Sequence, residues 1–178
     1  MAKGTYVFVI AVVSLLVAGI GYYIYTKTSQ PKHVHYHAGF QVYVDDKLQD
    51  FSSIKYMTIS PCTYPNAMKD HQTATELQND KGHLHDKVGD VVHVHIAGGT
   101  WKDFFNNIHY TFPEGKSIFA FIDGKAVEDI LNTPIKPYDS VSIFVGKRDK
   151  MQENLKKVVT KKHIKDEEQK SELCAGSN

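Results

Sequence analysis

The segment His33–Val44, HVHYHAGFQVYV, alternates between two kinds of side chain. Its odd positions begin with three histidines, whereas its even positions are apolar throughout. Successive side chains of a β-strand point to opposite faces of the sheet. The pattern therefore predicts a half-buried strand with a core face and a histidine face. The even positions are Val34, Tyr36, Ala38, Phe40, Val42 and Val44, and the histidines are His33, His35 and His37.

Two later segments repeat the same histidine spacing. His83 and His85 lie in HLHD, and His93 and His95 lie in VVHVHI. The chain has 10 histidines in 178 residues, and random placement would give about half of one HxH pair, whereas the sequence has four. The excess indicates a chemical role for these side chains.

Paired imidazoles on one strand face suit a metal ion. Residues two apart on a strand lie about 6.5–7 Å apart, and an adjacent strand can supply a third ligand. Imidazole binds zinc, copper or nickel; three histidines with an open position fit catalytic zinc, and four fit a closed site. We therefore expect a zinc or copper ion as cofactor. The candidate metal ligands are His33, His35, His37, His83, His85, His93 and His95.

The two later segments form a predicted hairpin, HLHDKVGDVVHVHI, which turns near Gly89. A turn centred there would set His85 opposite His93 and His83 opposite His95. A slip of one residue would separate these histidines, because it moves every side chain to the other face.

Several other residues are candidates for supporting roles. Asp86 is placed to orient a neighbouring imidazole through its second ring nitrogen. Met57, Met68 and Cys62 would add soft ligands for copper(I), although such residues are more often used in packing. His109 and His163 are isolated in sequence; so is His71, which remains a candidate outside ligand.

A helix is predicted directly after the third histidine segment. Thr100 can cap its N-terminus, with Asp103 three residues further on. Four apolar residues then follow at helical spacing and give one apolar face. We expect this helix to cover the apolar side of the sheet. The four residues are Trp101, Phe104, Phe105 and Ile108.

Further strands complete an α+β domain over residues 33–146. Asp123-Gly124 is a strong turn signal within SIFAFIDGKAVEDI, and Val141 to Val145 is the predicted last strand. We expect a mostly antiparallel sheet with one helix on its apolar face, β-grasp-like in its second half, residues 91–146.

The N-terminal segment YVFVIAVVSLLVAGIGYYIY, residues 6–25, has no charged side chain. As a helix it would span about 30 Å, the thickness of a hydrocarbon core. The sequence predicts a transmembrane anchor here, with the lipid bilayer as partner, after a leader at 1–5 and before a linker at 26–32. A signal peptide cleaved near Val17 and Gly19 is the alternative, but the apolar run continues past both residues.

The orientation of this anchor rests on two opposing signals. Lys27 and Lys32 come after the segment and only Lys3 precedes it, which by the positive-inside rule would place the domain inside. So short a leader usually acts as a signal-anchor that exports the downstream domain. We therefore expect a single-pass protein of the cell membrane with its domain on the extracytoplasmic side.

Charge and cysteine content exclude some classes of function. A formal net charge of +1 gives no bulk attraction to nucleic acid. Cys62 and Cys174 either pair or remain independent thiols, and the absence of CxxC removes the motif of thioredoxin-type redox chemistry. Residues 147–178 are rich in Lys and Glu, which predicts a partly helical or disordered tail with a solvated face or one that touches anionic headgroups.

The run HVHYHAGFQVYVDDKLQDFSSIKYM, followed by HLHDKVGDVVHVHIAGGTWKDFF, resembles a largely uncharacterised group of small membrane-anchored proteins from uncultured and reduced-genome bacteria. Members carry HVHAHADF-like, HLHD and VIHVH-like segments in that order. They end in a strand after a YD turn, matched here by Tyr138-Asp139. The resemblance covers most of residues 33–146 and implies an anchor, the motif order and a single domain, but no reaction. Some members are labelled disulfide isomerases, a label that a chain without CxxC does not meet.

Three functions fit these features. The first is a membrane-anchored extracytoplasmic protein that binds zinc or copper for storage, delivery or sensing. The second is a zinc enzyme with a three-histidine site, for which Asp86 and Asp90 are the nearby acidic candidates; HExxH is absent. The third is a metal-free adhesion or assembly module with a pH-responsive histidine face. We favour the first, and a role other than an enzyme.

Overall fold

A computed structural model describes residues 2–28, 32–58 and 73–171. The chain divides into two units, Met1–Lys32 and His33–Asn178. The helices and strands, in chain order, are α1 (Ala2–Thr28), β1 (His33–Val44), β2 (Lys47–Leu48), α2 (Ala74–Asn79), β3 (Val91–Ile96), α3 (Trp101–Asn107), β4 (Ile118–Ile122), β5 (Lys125–Val127), β6 (Ser140–Val145), α4 (Met151–Asn154) and α5 (Lys161–Ser171).

The first unit contains α1, and here a prediction from the sequence is corrected. Among the helices that the structure describes, none combines the length and the apolar character that a membrane crossing requires. The predicted transmembrane helix at 6–25 is therefore wrong, and so is the predicted single-pass location in the cell membrane with an extracytoplasmic domain.

The second unit is an α+β fold built on a curled mixed sheet. Its strand order is β2-β1-β6-β4-β5, and β3 pairs with β1 beside β2. Four of the pairings between these strands are antiparallel, whereas β1 and β6 run parallel, from Gly39 opposite Ser140 to Val44 opposite Val145. The long strand β1 therefore borders three others and organises the sheet.

A β-grasp-like arrangement was predicted for residues 91–146, but the sheet to which these residues belong also includes β1, which lies before residue 91. A parallel pair needs a long crossover connection between its strands. Here the pair joins β1, at the start of the unit, to β6, near residue 145. The sheet can therefore be assembled only from both halves of the predicted domain.

The apolar face of the sheet packs against α3. Thr100 and Asp103 form a capping box, in which each side chain accepts a hydrogen bond from the other residue's backbone N–H. Phe40 of β1 lies in the core with its ring centroid 4.8 Å from that of Phe104 and 6.2 Å from that of Trp101. Trp101, Phe104, Phe105 and Ile108 are all buried. The alternation of β1 thus places its even side chains beneath this helix.

The opposite face of β1 is partly covered by the end of the chain. Val159 and Ile164 are buried against Val91 in a second, smaller apolar cluster. A Cβ on Gly39 would lie 2.5 Å from Cγ1 of Val159, so glycine permits this close approach. Val159 and helix α5 therefore pack on the face that carries the odd-numbered side chains of β1.

The approach at Gly39 predicts a steric coupling. Gly39→Ala should lower the free energy of unfolding by about 1–3 kcal/mol, because the added methyl group overlaps Val159. Denaturant titration of the full chain measures this change. The cost should shrink in a Val159→Gly background. An equal cost in both backgrounds would show that the two residues are not in contact.

Candidate metal centre

Three histidine segments meet at the N-terminal end of β1. In the antiparallel pairing of β1 with β3, His37 lies opposite His93. On the other edge of β3, His83 lies opposite His93, with reciprocal backbone N–H···O bonds of 3.0 Å. His93 is therefore the central member of a row that crosses three chain segments.

The register in which the His83–His85 segment pairs with β3 differs from the predicted register by two residues. The turn falls at Asp86 and Lys87, which have φ values of 55° and 61°, and the Val88 N–H donates to the His85 carbonyl at 3.1 Å. His83 consequently faces His93 instead of His95. Because side chains alternate with a period of two, this shift keeps all these histidines on the predicted face.

Three imidazoles come close enough to share one ion. Ligand nitrogens of His35, His37 and His93 all lie within 4.8 Å of one another. His37 and His93 are buried, while His35 is exposed. Tetrahedral zinc with bonds of 2.0–2.1 Å needs ligand nitrogens about 3.3 Å apart, which small side-chain rotations can provide. The three residues could therefore hold a metal ion.

The His85 ring also lies against His93. Its Nε2 lies 2.9 Å from Nδ1 of His93, and Nε2 of His37 lies 2.6 Å from the same atom. Three ring nitrogens from three segments thus converge on one point.

His83 and His95 form the wall beside this group. The His95 ring stacks on His35 and on His83, with centroids 4.9 Å and 5.3 Å apart and planes within 9° of parallel. The lone pairs of two stacked, parallel rings lie in parallel planes, so in these positions His83 and His95 cannot both point to one ion. His33 lies outside this arrangement, because the pairing of β1 with β3 is irregular between His33 and Tyr36.

Two carboxylates face the outer nitrogens of these rings. Oδ2 of Asp86 lies 2.6 Å from Nδ1 of His85, which is the orienting geometry expected from the sequence. Oε1 of Glu168 on α5 lies 3.7 Å from Nδ1 of His37. Glu168 is not among the candidates predicted from the sequence. Its position four residues after the buried Ile164, on the same helix face, was the available signal.

Burial keeps the central histidines neutral. Desolvation, followed by the nearby imidazoles, lowers the pKa of His37 and of His95 to about 3. Desolvation likewise lowers the pKa of His83 to about 4 and that of His93 well below its usual 6.5. At neutral pH these rings therefore present lone pairs to an ion without first losing a proton.

The remaining candidates fall into two groups. Met57 is half-buried and packs against the main apolar core. His163 lies 3.1 Å from Asp90, away from the site, and His109 is exposed on its own turn. The predictions for Cys62, Met68, His71 and Cys174 concern positions outside the described residues.

Comparison with known proteins adds no family to this description: no family model, curated protein or solved structure matches the chain. The geometry itself defines a class, a protein with a histidine group able to hold a metal ion.

The low pKa values predict acid sensitivity of the metal-free protein. Unfolded histidines take up protons near pH 6.5, whereas the buried ones remain neutral to about pH 3–4. Their contribution to stability is therefore fully present above pH 6.5 and is lost as the pH falls from there toward the folded-state values. Each buried histidine contributes up to about 1.4 kcal/mol per pH unit in that window.

Thermal unfolding at about pH 8, 6.5 and 5 measures this effect. The melting temperature should change little between the two higher values and fall clearly at the lowest. His83→Gln should flatten the dependence. A melting temperature that does not fall between about pH 6.5 and 5 would contradict the buried, neutral state of these rings.

Proposed function

We propose that this protein binds a zinc or copper ion through His35, His37 and His93 and serves in metal storage, delivery or sensing. The observation that carries the proposal is the approach of their ligand nitrogens to within 4.8 Å. Imidazole is a preferred ligand of both ions. His85, 2.9 Å from His93, is the natural fourth ligand.

The convergence on His93 supports a cation at this point. Nε2 of His37 and Nε2 of His85 both face Nδ1 of His93. Neutral imidazole has one protonated and one unprotonated nitrogen. A single N–H at His93 serves two acceptors poorly, whereas a metal ion accepts all three lone pairs at once.

A binding role is favoured over a zinc enzyme. The two acidic residues that the sequence offers as general acid or base already face histidines: Asp86 faces His85, and Asp90 faces His163. General acid–base catalysis needs such a group within hydrogen-bond reach of the reacting atoms.

The same burial disfavours a pH-responsive module. Such a switch requires histidines that gain charge between about pH 5 and 8. The pKa of His37 and that of His95 are lowered to about 3, and that of His83 to about 4. These rings stay neutral across the range in which the switch would act.

Metal content of paired variants tests the proposal. The full chain, purified without a histidine tag or metal resin, should contain zinc or copper by elemental analysis, and added metal should raise its melting temperature. His35→Gln should weaken binding at least tenfold, because it removes one member of the close group. His37→Gln with His93→Gln should abolish binding.

His33→Gln is the matched control. His33 and His35 are both exposed and belong to the same HxH segment, but His33 lies beyond the strand irregularity. Its replacement should leave affinity unchanged. No bound metal and no stabilisation by added zinc or copper in the unmodified protein would overturn the proposal, and equal losses in both variants would refute the ligand assignment.

A further inference from the structure

The C-terminal helix α5 brings a carboxylate to the buried side of the histidine group. Oε1 of Glu168 lies 3.7 Å from Nδ1 of His37, and the Tyr138 hydroxyl donates to its other oxygen, Oε2, at 2.8 Å. The side chain of His37 is fully buried and that of Glu168 is 20 % exposed. The carboxylate is thus fixed from one side by a tyrosine while it faces an imidazole on the other.

This placement selects the tautomer of His37. At 3.7 Å the contact is longer than a hydrogen bond, so the interaction is electrostatic. A lone pair on Nδ1 would face a negative charge, whereas an N–H there presents its positive end. The carboxylate therefore favours the proton on Nδ1 and leaves the lone pair on Nε2. That is the nitrogen 2.6 Å from His93.

Two neighbouring histidines, His83 and His85, also have an oxygen atom next to Nδ1. Nδ1 of His85 faces Oδ2 of Asp86 at 2.6 Å, and Nδ1 of His83 lies 3.1 Å from the Asn79 carbonyl oxygen. In each ring the outer nitrogen meets an oxygen acceptor, which favours the proton on Nδ1 and the lone pair on Nε2. A repeated arrangement of this kind is the usual support of metal-binding histidines.

We propose that Glu168 is a positioning residue of the metal centre: it holds His37 as the Nδ1–H tautomer, so that Nε2 binds the ion. This inference rests on the proposed metal-binding function. It also makes α5, through its buried Ile164, part of the site instead of a solvated tail. Because a bound cation draws more positive charge onto Nδ1–H, occupancy and docking of α5 should reinforce each other.

Glu168→Gln in the full chain is the direct test, because it removes the charge at nearly constant shape. Affinity for zinc, measured by competition with a chelating dye, should fall about 10- to 100-fold. Long-range ¹⁵N–¹H correlation spectra of the metal-free protein should show His37 protonated at Nδ1, with a shift toward Nε2 protonation in the variant. A purely structural role of Glu168 would leave that tautomer unchanged.

Asp166→Asn is the matched control on the same helix, since Asp166 pairs with Lys162; it should change neither affinity nor tautomer. Tyr138→Phe removes the hydrogen bond that fixes the carboxylate but keeps its charge, so the loss of zinc affinity should be smaller. This variant provides the test if Glu168→Gln does not fold. Zinc binding by the unmodified protein with equal affinity in Glu168→Gln, or in Tyr138→Phe if that variant alone folds, would overturn this inference and leave the proposed function intact. Absence of zinc and copper binding in the unmodified protein would overturn both.

Discussion

The structure depends on the pairing of β1 with β3 in the register that sets His37 opposite His93. This register aligns two alternating patterns, so that apolar side chains share one face and histidines share the other. The apolar face packs beneath α3 and supplies the main core. A slip of one residue would bury histidines beneath α3 and expose valines. Fold and site are therefore fixed by the same set of backbone hydrogen bonds.

The histidine face carries an energetic conflict that a metal ion would resolve. Burial of polar rings is unfavourable unless their nitrogens find partners. Here desolvation holds the pKa of His37, and that of His93, far below the usual value, and the two rings approach to 2.6 Å. Such groups lower the stability of the metal-free fold in acid, and a bound cation would return that stability through coordination. Such a site keeps its imidazoles neutral and available to a metal ion, and the metal-free fold is less stable in acid as a result.

Local patterns predicted much of this architecture, and long-range relations accounted for the differences. The alternation of residues 33–44 and the capping box at Thr100 and Asp103 are short-range signals, and the predicted strand and the predicted cap both appear in the structure. The strand is not half-buried as predicted, because its odd-numbered residues His37 and Tyr43 are also buried. The register near His83 was not predictable, because a shift of two residues preserves the same pattern. Glu168 lies 131 positions after His37 in the chain. Its spacing of four residues from Ile164 was the only sequence signal that its side chain would face the sheet. The membrane anchor was inferred from apolar composition, and no described helix meets the length and apolarity it needs.

X-ray absorption spectroscopy of the metal-loaded full chain identifies the ligands of the ion itself. Binding through His35, His37 and His93, with or without His85, predicts three or four nitrogen scatterers at about 2.0–2.1 Å for zinc, with the outer-shell scattering of imidazole rings. That signal should lose an imidazole contribution in His35→Gln and stay the same in His33→Gln. A first shell of oxygen or sulfur without imidazole scattering would show that these histidines do not hold the ion.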